Sequence, residues 1–233
     1  MIALEGLRGG LIVSVQARAD SALAHPQMIA ALAQCAQAGG AVAVRIEGTA
    51  NLRAVKAALS VPAIGLIKRA YSGFEPYITP TTDEIDELLE AGADIIAFDA
   101  TARQRPDGST VERLADRIRR GGATPMADCA TAGDGIAACA LGIPIVATTL
   151  CGYTKESGGA SLPALDLVRT FAELGAFVIC EGGIRTPQSA RMAVDAGADA
   201  IVVGTAITDI EWVTARFDLA VRERTRTDAS AVK

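Results

Sequence analysis

A chain of 233 residues, half of them hydrophobic and 21% charged, can bury one sizeable core and is not a disordered segment. Its net charge of −5 argues against general attraction to nucleic acid or to an anionic membrane, yet a few local donors can still hold one small anion. The cysteines (Cys35, Cys129, Cys139, Cys151, Cys180) are odd in number and form no C-x-x-C pair, so neither a disulfide framework nor a zinc site is expected.

The first residues, MIALEGLRGG, lack the pattern of a signal peptide, and no apolar run approaches the ~18 residues of a membrane helix. A cytoplasmic location is therefore expected. Short branched apolar runs then alternate with longer helical segments along the whole chain. Leu11–Val15 predicts the first strand and 27–38 the first helix; Ala41–Ile46 is followed by a helix over 52–59. Ala63–Lys68 leads into 83–91, Ile95–Ala100 into 111–120, and Pro125–Cys129 into 131–140. Ile145–Leu150, Phe177–Cys180 and Ala200–Gly204 complete the strands, with helices over 162–174, 188–196 and 209–224. Each run is too short for a helix and suits a strand buried on both faces. Two of the helices end in Ala-Gly-Ala-Asp, where glycine is a natural stop, and Thr186-Pro187 reads as an N-cap followed by the first turn.

Eight βα units in about 250 residues or fewer predict a single-domain (β/α)8 TIM barrel over residues 1–224, with a frayed tail over 225–233. The stretch EAGADIIAFDAT at 90–101 echoes DAGADAIVVGTA at 195–206, at strands four and eight, the offset of two half-barrels. An open doubly wound sheet is the competing topology.

Active sites of such barrels gather at the C-terminal ends of the strands. The polar residues closing otherwise apolar strands are Gln16, Arg45, Lys68, Asp99, Asp128, Thr148 and Glu181. If Lys68 points inward, so do Leu66 and Ile64; Glu181 likewise shares a face with Ile179. Blander roles compete at several of these positions. Arg45 and Asp128 could form a structural ion pair, Asp99 could cap a loop, and Gln16 or Glu181 could brace one. Gly182 and Gly183 follow strand seven and Gly204-Thr205 follows strand eight, where barrels of this kind hold phosphate; Arg185 stands nearby. Tyr153 opens the loop after strand six. His25 reads as a surface or capping residue, Cys129 and Cys180 as core, and Trp212 and Phe217 as packing against the barrel or a partner subunit.

Nine segments carry a resemblance to a known family: GGLIVSVQA, AVAVRIEG, IGLIKR, YITPT, FDATARQRP, MADCAT, VATTLCGYT, CEGGIRTP and VVGTAIT. Over about residues 8 to 215 the chain resembles the N-acetylmannosamine-6-phosphate 2-epimerases. That resemblance implies interconversion of N-acetylmannosamine 6-phosphate and N-acetylglucosamine 6-phosphate in sialic acid and amino-sugar catabolism, without metal or nucleotide, and a possible homodimer. It makes Lys68 and Glu181 the catalytic pair. Gln16, Arg45, Asp128 and Tyr153 match substrate contacts, with Thr148 beside them. Gly182, Gly183, Arg185, Gly204 and Thr205 are the phosphate candidates. One departure is Gly183, where the family usually carries a basic residue. An imine-forming aldolase or lyase using Lys68, and a non-catalytic phosphosugar-binding protein, are the rival functions.

Overall fold

The computed structural model describes residues 3–230, with side chains described as far as Arg222. Its eight strands are β1 (Gly10–Val15), β2 (Ala43–Glu47), β3 (Ala63–Leu66), β4 (Ile95–Asp99), β5 (Thr124–Asp128), β6 (Ile145–Ala147), β7 (Phe177–Glu181) and β8 (Ala200–Val203). All neighbours are parallel, and β8 returns to pair with β1 (Gly10 with Ala200, Val13 with Val203), which closes the sheet into a barrel. That pairing excludes the open sheet. Between the strands lie α1 (Pro26–Ala38), α2 (Thr49–Ala58), α3 (Thr82–Glu90), α4 (Val111–Arg120), α5 (Ala132–Ala140), α6 (Leu165–Ala172) and α7 (Pro187–Asp195). A four-residue helix, α8 (Thr205–Thr208), and a long one, α9 (Ile210–Ser230), end the described chain.

Alternation along each strand sorts the side chains into two layers. Ile12, Ala43, Ile64, Leu66, Ile95, Ala97, Met126, Ile145, Ala147, Ile179, Ala200 and Val202 fill the barrel interior. Leu7, from the 3-10 helix Leu4–Leu7, joins that cluster. The intervening residues, Cys129 and Cys180 among them, pack against the helices in a separate outer core, as expected of both cysteines. Polar residues appear on the inward face only past these layers, and this confines the chemistry to one mouth.

Local signals fix the helix ends. Thr81, Thr131 and Thr186 each accept a backbone N–H in reciprocal capping boxes, with Pro187 in the first turn of α7. After α3 and α7, Gly92 and Gly197 adopt positive φ (84° and 106°), a backbone that L side chains resist. The sequence places α9 to end at 224, but its backbone continues to Ser230. The rest of the expected tail, residues 231–233, lies outside the described residues. None of the described helices is long and apolar enough to cross a membrane.

Candidate active site

Parity along the strands brings Ser14 and Gln16, Arg45 and Glu47, Lys68, Thr149, Glu181 and Gly204 to a cavity of about 640 Å³ at the C-terminal mouth. The volume suits a small-molecule ligand. The loop after β3 folds back over this mouth: Lys68 bridges Ile78 in antiparallel fashion, and Arg69 N–H donates to the Tyr77 carbonyl at 2.9 Å. Tyr77 thereby joins the lining, with Tyr153 across from the β6 loop.

At the floor sits Arg45, only 1% exposed. Its Nη2 donates to Asp128 Oδ2 at 2.6 Å, while Nη1 reaches Asp128 Oδ1 at 3.1 Å and Glu181 Oε2 at 2.7 Å. Burial alone would weaken the guanidinium's hold on its proton, but Asp128 and Glu181 outweigh it, so Arg45 stays charged. Thr149 Oγ1 lies 2.8 Å from Asp128 Oδ1 and 3.1 Å from Glu181 Oε2, sharing one proton between the two acids. The other Glu181 oxygen, Oε1, takes no protein hydrogen bond among the described residues. Burial pushes the Glu181 carboxyl above its ordinary value, Asp128 adds to that, and Arg45 opposes it. A carboxyl so placed holds a proton more readily than an exposed glutamate and can still give it up to a neighbouring oxygen.

Lys68 Nζ donates to Gln16 Oε1 at 2.6 Å, and Gln16 Nε2 in turn donates to Ser14 Oγ at 2.8 Å. The lysine remains open to the cavity, yet the walls withdraw enough solvent to push its pKa below the ordinary lysine value. Arg45 pushes the same way, and Glu47, Glu181 and Asp128 resist. Arg69, a second candidate for lowering it, is engaged elsewhere by Glu84 (2.7 Å) and Glu87 (2.9 Å).

The expected phosphate residues, Gly182, Gly183 and Arg185 from the β7 loop and Gly204 and Thr205 after β8, all line the cavity. Gly182 and Gly183 have φ of 104° and 72°, and a Cβ on Gly183 would stand 2.4 Å from Leu162 Cβ. This explains the departure at 183: the leucine fills the space that a side chain there would need.

Two expected contacts are corrected. Thr148 is fully buried on the outward parity; its Oγ1 donates to the Glu181 carbonyl at 2.8 Å and accepts the Glu181 N–H at 3.0 Å. Because β6 stops at Ala147, an inward residue, the next inward position is Thr149. Asp128 is also fully buried and absent from the cavity wall, and its carboxylate is taken up by Arg45 and Thr149. Asp99 follows its blander role: it accepts the Thr101 N–H at 3.0 Å and Arg103 Nη2 at 2.6 Å. His25 is exposed at the start of α1 with no side-chain capping bond. Trp212 belongs to the cavity wall, with the guanidinium of Arg185 5.7 Å from its ring centre. Phe217, expected to pack, is exposed on α9.

Glu47, Ser14, Thr149, Tyr77, Arg18 and Trp212 are lining residues that sequence reasoning missed. Strand parity from Arg45, Gln16 and Ala147 was a sufficient signal for the first three. Tyr77 and Arg18 sit on irregular loops without a period to follow.

Residues 29–223 match the family model described as NanE, N-acetylmannosamine-6-phosphate epimerase. A protein of Caldanaerobacter subterraneus subsp. tengcongensis named N-acetylmannosamine-6-phosphate 2-epimerase is 43% identical over 224 residues, covering 95% of this chain and 94% of its own length. One of the same name from Salmonella paratyphi A is 47% identical over 214 residues, covering 92% and 93%. The solved N-acetylmannosamine-6-phosphate 2-epimerase from Clostridium perfringens superposes with a TM-score of 0.89 at 41% identity, over 92% of this chain and 94% of that one. The chain belongs to the N-acetylmannosamine-6-phosphate 2-epimerase family.

Proposed function

We propose that this protein epimerises N-acetylmannosamine 6-phosphate to N-acetylglucosamine 6-phosphate, in the cytoplasm and within amino-sugar catabolism. The observation that carries this function is the convergence of Lys68 and Glu181, from just past β3 and the end of β7, on one cavity that two glycine loops also line. A non-catalytic sugar-phosphate binder needs no such pair.

The C2 proton is acidic only beside an open-chain C1 aldehyde. Glu181 moves a proton between O1 and O5 to open the ring, and its raised pKa suits that exchange. Lys68, whose pKa burial and Arg45 push down, takes the C2 hydrogen in its neutral form, and the electron pair flows into the C1 carbonyl to give an enolate. Arg45, fixed by two acids, meets the charge that develops on oxygen. The ammonium so formed at Lys68 returns the proton to C2 once the enolate has turned its other face to it, which completes the inversion and restores the base. Gln16 orients Lys68, and Tyr77 and Tyr153 shield the sugar. Backbone N–H groups around Gly182, Gly183, Gly204 and Thr205, with Arg185, anchor the phosphate, so binding energy positions C2 without joining the reaction.

The assembly we expect is a homodimer. Along α9, Ile210, Phe217, Leu219 and Val221 are all exposed, with Phe217 72% open. Beside it an apolar groove of about 540 Å³ runs past Val194, Ile201, Val203 and Ile207. A second copy would cover these faces, and sedimentation velocity checks it: a monomer at micromolar concentration would reject the dimer.

Incubation with N-acetylmannosamine 6-phosphate, followed by chromatographic separation of the two epimers, tests the reaction. Wild-type protein yields the gluco epimer, Lys68→Ala yields none, and Glu181→Gln loses ~10²–10⁴-fold in rate. Unchanged substrate with wild-type protein would reject this function.

A further inference from the structure

The anion end of the cavity carries a cation that the glycine loops do not explain. Arg18, on the loop between β1 and α1, lines the same cavity as Gly204, Thr205, Asp209 and Trp212. Its guanidinium is held in a two-bonded fork by Asp20, Nε to Oδ1 at 3.1 Å and Nη2 to Oδ2 at 2.7 Å. Both side chains are largely exposed, at 68% and 71%, and an ion pair in such a setting is weak and readily exchanged. The geometry that receives a carboxylate in this way also receives two oxygens of a phosphate.

A negative charge on the same lining gives this cation a role. Asp209 lines the same end and accepts the Trp212 N–H at 2.8 Å at the start of α9, so it cannot turn away without uncapping that helix. Together with Glu211 it favours the charged form of Arg18, although Asp20 does so most strongly. A phosphate dianion entering beside Asp209 meets repulsion unless a guanidinium stands near it. Arg185, over the Trp212 ring that also carries Arg216 at 5.3 Å, supplies one such guanidinium, and Arg18 is a second on the same lining. The loop bearing Arg18 is moored at the rim, because Ser21 Oγ donates to Glu211 Oε1 at 2.6 Å.

We propose that Arg18 binds the substrate phosphate by exchanging it for Asp20, making the β1–α1 loop a determinant of selectivity for phosphorylated over unphosphorylated sugars. This inference rests on the phosphosugar function and is tested separately from turnover. Trp212 is the sole tryptophan and lines the cavity, so its fluorescence reports occupancy without chemistry. Titration with inorganic phosphate compares wild type, Arg18→Ala and Asp20→Asn, the last breaking the same ion pair while keeping the guanidinium. Arg18→Ala weakens phosphate binding by ~10-fold or more, the effect of one charge-assisted contact, whereas Asp20→Asn binds at least as tightly as wild type. In a second titration, N-acetylmannosamine 6-phosphate binds wild type more tightly than N-acetylmannosamine does, and Arg18→Ala narrows that ratio by a similar factor. The proposal is overturned by phosphate affinity within about twofold of wild type in Arg18→Ala, by equal weakening in Asp20→Asn, or by no saturable response in wild type. Phosphate binding that follows this pattern in a protein unable to epimerise would leave Arg18 in place and remove the reaction alone.

Discussion

Replacing Arg45 by methionine isolates the electrostatics on which the site is built. The arginine makes three contacts of 2.6, 2.7 and 3.1 Å to two acids in a floor where it is itself 1% exposed. Methionine keeps much of the volume and removes the charge, leaving Glu181 and Asp128 facing each other without a cation between them. Removing one partner from a buried ion pair costs ~3–5 kcal/mol, which in a chain of this size lowers Tm by about 6–20 °C. The loss depends on pH in a definite direction. Glu181 already has a raised folded pKa, and losing Arg45 removes the strongest influence that lowers it. A carboxyl with a raised folded pKa destabilises fully above that value and ceases to do so below its unfolded value. The Tm deficit therefore grows as the pH rises, and it is compared at two pH values on the alkaline side of the isoelectric point of about 5.0. Differential scanning fluorimetry of wild type and Arg45→Met at the two pH values measures it. A deficit under about 1 kcal/mol, or one that grows as the pH falls, would refute this view of the site floor.

Glu47 raises the Lys68 pKa, so Glu47→Gln lowers it; the acidic limb of the kcat/KM profile moves to lower pH, and a limb that stays or rises contradicts the role of Lys68 as base. At Gly183, φ of 72° and a Cβ position 2.4 Å from Leu162 make Gly183→Ala unfavourable on both backbone and steric grounds. The backbone part alone costs ~1–2 kcal/mol, and chemical denaturation should show at least that loss. Thr148→Val removes the hydroxyl that satisfies both backbone groups of Glu181 and costs ~1–3 kcal/mol in the same assay. Borohydride added with N-acetylmannosamine 6-phosphate should leave Lys68 unmodified by mass spectrometry, whereas a reduced adduct there would favour the imine-forming lyase.

The alternation of strands and helices made the barrel legible, because burial on both faces produces apolar runs that helices interrupt. Lys68 and Glu181 were legible for a related reason: a charge ending such a run has nowhere to go except the mouth. What sequence obscured was the last residue of each strand. β6 ends after three residues, and that displacement puts Thr149, not Thr148, on the cavity wall. Asp128 was found in the right layer, but its depth depends on Arg45 reaching over it, a tertiary contact spanning 83 positions. Tyr77 enters through a loop folded back on β3, and Trp212 through the start of a helix whose residues 214–222 are exposed. Neither position follows a repeating pattern that composition or period could expose.

The most direct measurement is proton NMR in D2O with N-acetylmannosamine 6-phosphate. Deuterium should appear at C2 as the gluco epimer accumulates, and Lys68→Ala, folded by circular dichroism, should stop both together. Wild-type rates of C2 exchange in that variant would contradict the assignment of the amine as the base.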